Sequence, residues 1–309
     1  MSISFENRVS IVTGAGGGLG RAYALELAAR GAKVVINDFG GSRDGSGGSS
    51  EAAEKVVTEI RAKGGQAIAD GGNVTSFDDM QALVARTLAE FGRIDVLINN
   101  AGILRDKTFA KMSTEDFRAV VDVHLIGSAN ATKAVWEAMR AQGYGRILMT
   151  SSTSGVYGNF GQSNYGAAKA GLIGLMNVLH FEGARYGIKV NAVLPTAATR
   201  MTGDMMDEEM LRHLAPENVV PAALFLVGED APSRVALLAG AGTVARMAIV
   251  ESEGVYLPAG KRTPEAVAEA FGTISSLDGS IETEAGLAHV DRIIANARTA
   301  EALAAEIRA

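Results

Sequence analysis

Residues 8–31 constrain the fold of this chain more than any other stretch. A short apolar run, RVSIVT (8–13), passes directly into a glycine-rich turn, TGAGGGLG (13–20), and the turn into a helical pattern, RAYALELAAR (21–30), stopped by Gly31. A buried strand, a glycine turn and a helix in that order form the phosphate-binding start of a doubly wound α/β fold, a parallel sheet with helices on both faces. Glycines let the backbone take positive φ and approach a ligand closely, and the first amides of the helix face a pyrophosphate. The G-x-G-x-x-G spacing is not met, because Leu19 stands where the third glycine belongs after Gly14 and Gly16. The pattern present is T-G-x-x-x-G-x-G, through Thr13, Gly14, Gly18 and Gly20. The next strand, KVVIND, ends on Asp38, eighteen residues past Gly20. A carboxylate there accepts from both ribose hydroxyls of NAD and repels the extra phosphate of NADP, so NAD is the expected cofactor. The loop that follows, GGSRDGSGGSS (40–50), is expected to be mobile.

The second half carries a candidate reaction centre. Tyr165 and Lys169 are four residues apart, with Ser152 thirteen residues before Tyr165. On a helix, i and i+4 share a face, which sets the ammonium beside the phenol. A cation there favours the phenolate and is expected to bring its proton exchange toward neutrality. Ser152 donates to the substrate oxygen on which charge changes. Ser151 and Ser154 are its competitors, and the S-x-x-G spacing to Gly155 favours Ser152. A bare Y-x-x-x-K pair is common on solvated helices, so its weight comes from the serine and the nucleotide-binding start.

Composition narrows the class. The 309 residues are 47% hydrophobic and 21% charged, with a net charge of −6, which disfavours nucleic acid as a partner. No apolar run reaches the roughly 18 residues that span a bilayer, and MSISFENRVS lacks the pattern of a secretory signal. There is no cysteine, so a reducing, cytoplasmic setting is expected. The four histidines (His124, His180, His213, His289) are scattered, so no metal site is expected.

Taken together, the glycine turn, Asn99-Asn100-Ala101-Gly102 after a fourth strand, and the Ser152–Tyr165–Lys169 set resemble the short-chain dehydrogenase/reductase family. The resemblance implies NAD-linked hydride transfer between a secondary alcohol and a ketone. Tyr165 is then the acid/base, Ser152 the group that orients the substrate oxygen, and Lys169 the holder of the ribose. It implies that Gly14, Gly18, Leu19 and Gly20 face the pyrophosphate and that Asn100, Ala101 and Gly102 wall the cleft. Pro195 backs the nicotinamide, and Asn73 with Val74 replaces the acid–valine pair that holds adenine. In VDVHLIGS, His124 occupies the place of an asparagine that kinks the helix and anchors a proton path. His124 either serves that relay or is a core residue. PTAATRMT departs from the glycine and threonine expected after Pro195, with Thr199 and Thr202 straddling the threonine position. The methionine-rich segment 200–215 falls where the family carries its substrate lid.

The blocks NDFGG, VHLIGS, GVYGNFGQ and RMT are similar to the family branch that oxidises (3R)-hydroxyacyl-CoA and some steroid alcohols. An acyl-CoA or a steroid is therefore the expected substrate, with Arg105, Lys107 and Arg200 as candidate CoA contacts. A nucleotide-sensing protein without catalysis and an enzyme acting on sugars or small diols are the rival readings. Residues 1–240 form the expected dinucleotide-binding catalytic domain. Residues 241–309 form a C-terminal extension expected to pack on it, with a hairpin around 245–257. Helices over 113–142 and 162–186 are those through which the family forms homodimers or homotetramers.

Overall fold

The computed structural model describes residues 2–42, 44–198 and 207–306. Within them, alternation of strand, loop and helix gives β1 (Val9–Thr13), α1 (Gly18–Ala29), β2 (Lys33–Asn37), α2 (Glu51–Ala62), β3 (Gln66–Asp70), α3 (Phe77–Phe91) and β4 (Val96–Asn99). The second half adds α4 (Thr114–Val121), α5 (Gly127–Gln142), β5 (Gly145–Thr150), the short α6 (Thr153–Val156), α7 (Ser163–Ala184) and β6 (Ile188–Pro195). Then come α8 (Glu208–His213), α9 (Val220–Leu226), β7 (Ala236–Gly240) and β8 (Thr243–Met247). The strands make one eight-stranded sheet in the order β3-β2-β1-β4-β5-β6-β7-β8, parallel except for the antiparallel β7–β8 pair. The doubly wound α/β fold read from the sequence is the fold of this chain.

Strand side chains alternate between two cores. Val12, Ile36 and Ile98 join Tyr23 and Leu27 of α1, Ile60 of α2 and Leu224 of α9 on one face. Ile11, Val35 and Leu97 join Leu83 of α3, Met139 of α5 and Leu172 of α7 on the other. Both faces are covered, which is why the strands read as continuous apolar runs. Because β1 pairs with β2 on one side and β4 on the other, the loops leaving β1 and β4 diverge and open a crevice at their carboxyl ends.

Three sequence expectations change here. The helix expected over 113–142 does start at Ser113, whose hydroxyl accepts from the Asp116 amide at 3.1 Å. It is then interrupted by a π-helical turn, Asp122–Ile126, centred on His124. The hairpin expected around 245–257 is instead β7–β8, turning at Ala241 and Gly242, both at positive φ (49° and 76°). The loop 40–50 is tied down in its described part: the Ser42 amide donates to the Ser46 carbonyl at 2.7 Å, and Asp44 accepts from the Ser46 amide at 3.0 Å.

The chain divides into Met1–Met247 and Ala248–Ala309, so β8 belongs to the sheet unit, beyond the boundary at 240 read from the sequence. The second unit contains α10 (Pro264–Ile274) and α11 (Gly286–Glu306). Inside it, Glu251 bridges to Ile281 through the backbone, and its carboxylate takes Thr283 at 2.8 Å, His289 at 2.9 Å and Arg292. Among the described residues, no helix is long and apolar enough to cross a membrane.

Candidate active site

The crevice beside β1 and β4 is a cleft of about 720 Å³. Its floor is built by backbone and short polar groups. Thr13 Oγ1 accepts from the amides of Asn100 (3.0 Å) and Ala101 (3.1 Å), and Asn100 Nδ2 donates to the carbonyls of Thr13 and Gly14, each at 3.0 Å. This lacing fixes the glycine turn against the wall Asn100–Gly102. Gly14, at φ +62°, leaves no room for a side chain, since a Cβ would lie 2.7 Å from Ala101 Cα. Gly14, Gly18, Leu19, Ala101 and Gly102 line the cleft; Gly20 does not. Gly20 packs beneath, where a Cβ would meet the Gly14 carbonyl oxygen at 2.4 Å.

Asp38 stands at the end of β2 with its carboxylate spread across two backbone amides, Gly16 (2.7 Å) and Gly40 (2.7 Å). Asn73 and Val74 also line the cleft. The oxygen of Asn73, expected to accept from adenine, already accepts from the Thr75 amide and hydroxyl, each at 3.0 Å. A local Asx turn therefore competes for it.

The chemical end gathers residues from β5 and α7. Ser152 follows β5 and caps α6, accepting from the Ser154 amide at 3.1 Å. Tyr165 sits in the first turn of α7, and Lys169 one turn on, its Nζ 5.5 Å from the Tyr165 ring centroid and donating to the Thr150 carbonyl. The competing serines have other partners: Ser151 is fully buried and donates to the Lys169 carbonyl at 2.8 Å, and Ser154 donates to Gln162 at 2.8 Å. Pro195 closes the cleft at the end of β6.

A family profile described as short chain dehydrogenase matches residues 8–210. The chain belongs to the short-chain dehydrogenase/reductase family. It is 50% identical over 250 residues to a short-chain type dehydrogenase/reductase of Mycobacterium tuberculosis, covering 81% of this chain and 87% of that one. It is 48% identical over 268 residues to peroxisomal multifunctional enzyme type 2 of Mus musculus, covering 86% of this chain and 36% of that protein. The full-length peroxisomal multifunctional enzyme type 2 of Drosophila melanogaster superposes with a TM-score of 0.79 at 36% identity, over 94% of this chain and 49% of that structure. The chain thus spans half or less of the length of these two multifunctional relatives.

Short-chain dehydrogenases use a nicotinamide dinucleotide, NAD or NADP, and the residues present fit one. The cradle at Gly14 and Gly20 is open only because no Cβ fills it, and the cleft runs from Asp38 past the glycine turn to Lys169. The electrostatics differ from the sequence expectation. Burial pushes the Tyr165 phenol up, the hydrogen bond with Ser152 opposes this, and the charge of Asp106 adds to the rise. Lys169, 3% exposed, is brought down by burial from 10.5 to about 7. The lysine that was expected to depress the phenol is thus itself pressed toward its neutral form.

His124 is buried against the cleft wall, its Nε2 2.8 Å from the Ile103 carbonyl and 3.1 Å from the Ile103 amide. Nδ1 has no hydrogen-bond partner among the described residues. The shorter contact, to the carbonyl, assigns the proton to Nε2 and leaves Nδ1 a bare lone pair. Burial first, then the charge of Lys169, hold the ring well below its ordinary value, against the opposing bond to Ile103.

At the cleft mouth, Arg105 and Lys107 both pair with Asp116, at 3.3 and 2.8 Å, and Arg105 also donates to the Asp44 carbonyl at 2.9 Å. Of the segment expected as a lid, Thr199, Arg200, Thr202 and Met205 lie outside the described residues. Leu214 lines the cleft, whereas Met210 is 46% exposed and does not. Sequence reasoning missed Asp70, which is buried and takes Asn37 Nδ2 and the Gly72 amide, each at 2.8 Å, and Arg86. That pairing holds the end of β3 at the cleft. An acid at the end of the apolar run QAIAD was the available signal.

Proposed function

We propose that this chain is an NAD-dependent dehydrogenase that oxidises a secondary alcohol, most specifically that of a (3R)-hydroxyacyl-CoA. The observation that carries the cofactor choice is the Asp38 carboxylate at the mouth of the glycine turn, held by the Gly16 and Gly40 amides. A negative group there disfavours a 2′-phosphate and leaves acceptor capacity for ribose hydroxyls. The bound dinucleotide supplies the hydride acceptor. Ser152 donates to the substrate oxygen and Tyr165 takes the proton from it. Lys169, one turn further along α7 with its Nζ 5.5 Å from the Tyr165 ring centroid, exchanges its proton close to neutrality, so it tunes the phenol beside it. Gly14, Gly18, Asp38, Asn100 and Lys169 are the residues that would hold the dinucleotide.

The motif blocks shared with the branch that oxidises (3R)-hydroxyacyl-CoA, with 44% identity over 74% of this chain to a 3-oxoacyl-[acyl-carrier-protein] reductase of Synechocystis, support an acyl-thioester substrate. One observation favours the second reading, a hydroxysteroid dehydrogenase: Asp116 pairs with both Arg105 and Lys107, which reduces the positive surface available to CoA phosphates. Apolar side chains exposed on the π turn and α7 (Ile126, Val178, Phe181) support a homodimer or homotetramer.

The test is turnover with NAD or NADP of a (3R)-hydroxyacyl-CoA, its (3S) partner and a hydroxysteroid. The expected result is NAD-linked turnover of the (3R) thioester alone. Turnover of the steroid with neither thioester rejects the acyl-CoA reading and leaves a dehydrogenase. Equal kcat/KM with NADP rejects the role of Asp38.

A further inference from the structure

His124 is the buried titratable group at the cleft that the proposed chemistry does not use. It is 3% exposed and sits at the centre of the π turn Asp122–Ile126. Its ring meets the Tyr165 ring edge-on, with centroids 5.0 Å apart and planes at 88°. On another side it is tight against Gly102: a Cβ on that glycine would fall 2.2 Å from His124 Cε1. Its Nε2 is fixed to the Ile103 carbonyl at 2.8 Å. The ring therefore has a hydrogen bond holding its tilt and a backbone wall at its edge. The Tyr165 phenol is tied only at its tip, by the hydrogen bond between its hydroxyl and Ser152, which leaves the ring free to turn about its long axis. Its amide is capped by Asn164 Oδ1 at 2.7 Å, but the plane of the phenol is set by what packs on it.

We propose that His124 is a positioning residue: wedged between the Gly102 backbone and the Tyr165 ring, it fixes the plane of the phenol and so the direction in which its hydroxyl meets the substrate oxygen. The proposal rests on the reading of Tyr165 as acid/base. It differs from a proton-relay role, because a relay has to accept and release a proton near working pH. The His124 ring faces Lys169 and Tyr165, and its one polar partner is the Ile103 backbone, a setting that disfavours the imidazolium. A T-shaped aromatic contact is directional, so it resists rotation of the phenol as well as its displacement. An enzyme whose reacting atoms are misplaced by about 1 Å loses on the order of a hundredfold in rate.

The wedge is tested from both sides. His124→Gln places an amide nitrogen near the position of Nε2, keeps the donation to Ile103 and removes the ring. Gly102→Ala keeps the imidazole but sets a methyl group where its edge lies, so the ring has to shift against Tyr165. Each single variant is expected to lower kcat at saturating cofactor by about ten- to a hundredfold; in His124→Gln, KM for cofactor is expected within about threefold, the pH profile of kcat unshifted and the melting temperature within a few degrees. The double variant is expected to be no slower than His124→Gln alone, because the added methyl then occupies the space the ring has left. Multiplicative losses in the double variant, or parent-like kcat in His124→Gln, overturn the wedge. A pH profile displaced in His124→Gln alone overturns it in favour of a relay. Tyr165→Phe is run alongside. Its retention of activity sinks the acid/base reading itself, whereas its inactivity with multiplicative losses in the double variant sinks only the role of His124.

Discussion

Replacing Lys169 by Met is expected to change how stability depends on pH, apart from any effect on turnover. The ammonium is buried beneath the cleft and brought from 10.5 to about 7. At 1.36 kcal/mol per unit, that shift corresponds to an upper bound of about 5 kcal/mol for keeping the charge buried. Its donation to the Thr150 carbonyl offsets part of that cost. Between pH 7 and 10.5 the unfolded chain carries a proton at this site that the folded chain releases, so this group makes stability rise with pH across that window. Below pH 7 both states are protonated and the penalty is fully present. Methionine fills the same unbranched path without a charge. Urea unfolding of parent and Lys169→Met at pH 6, 8 and 10 gives the difference directly. The stability of the parent relative to the variant is expected to climb by up to about 4 kcal/mol from pH 6 to 10. A constant offset from packing cancels in that slope. Parallel curves would refute the argument, since they would mean that Lys169 keeps its proton as readily folded as unfolded.

Tyr165→Phe is expected to lower kcat by at least a thousandfold, about 4 kcal/mol of barrier, with cofactor affinity by fluorescence titration within about twofold of the parent. Asp38→Ala removes the acceptor of the Gly16 and Gly40 amides as well as the ribose partner. It is expected to raise KM for NAD by about ten- to a hundredfold, roughly 1–3 kcal/mol, and so to narrow the preference over NADP, as steady-state kinetics with both cofactors will read. Gly14→Ala puts a side chain at φ +62° and 2.7 Å from Ala101 Cα. A loss of about 2–3 kcal/mol and several degrees of melting temperature is expected by calorimetry, and an unchanged melting temperature counts against the close packing of turn and wall.

The parts of the site that were legible in the sequence are those fixed by local backbone demands. The glycine turn and Asp38 belong to one strand–turn–helix–strand unit, so spacing along the chain is also spacing in space. The Ser152–Tyr165–Lys169 interval is likewise spanned by one strand, one loop and one helix. What was not legible depends on side-chain partners that no spacing pattern names. The phenol of Tyr165 is governed by burial under loops the spacing does not reveal, and Arg105 and Lys107 lose their freedom to Asp116, nine to eleven residues away. Asn73 fails likewise, because a partner two residues on takes its oxygen. The β7–β8 turn had a visible signal: Ala241-Gly242 is a two-residue link with a glycine at a position needing positive φ.

The π turn ahead of α5 has a consequence for the phase of the helix. One residue of an α-helix advances the side chains by about 100°. The extra residue in Asp122–Ile126 therefore offsets the faces of α4 and α5 by that angle. Val135 and Met139 meet the sheet only because the offset is there, whereas Val120 of α4 is buried on the earlier phase. Deleting a single residue from this turn would restore an unbroken helix and swing the apolar stripe of α5 roughly a quarter-turn off the sheet. The turn is thus a phase shifter between two helices, and the length of the chain between Ser113 and Gln142 is not free to change by one.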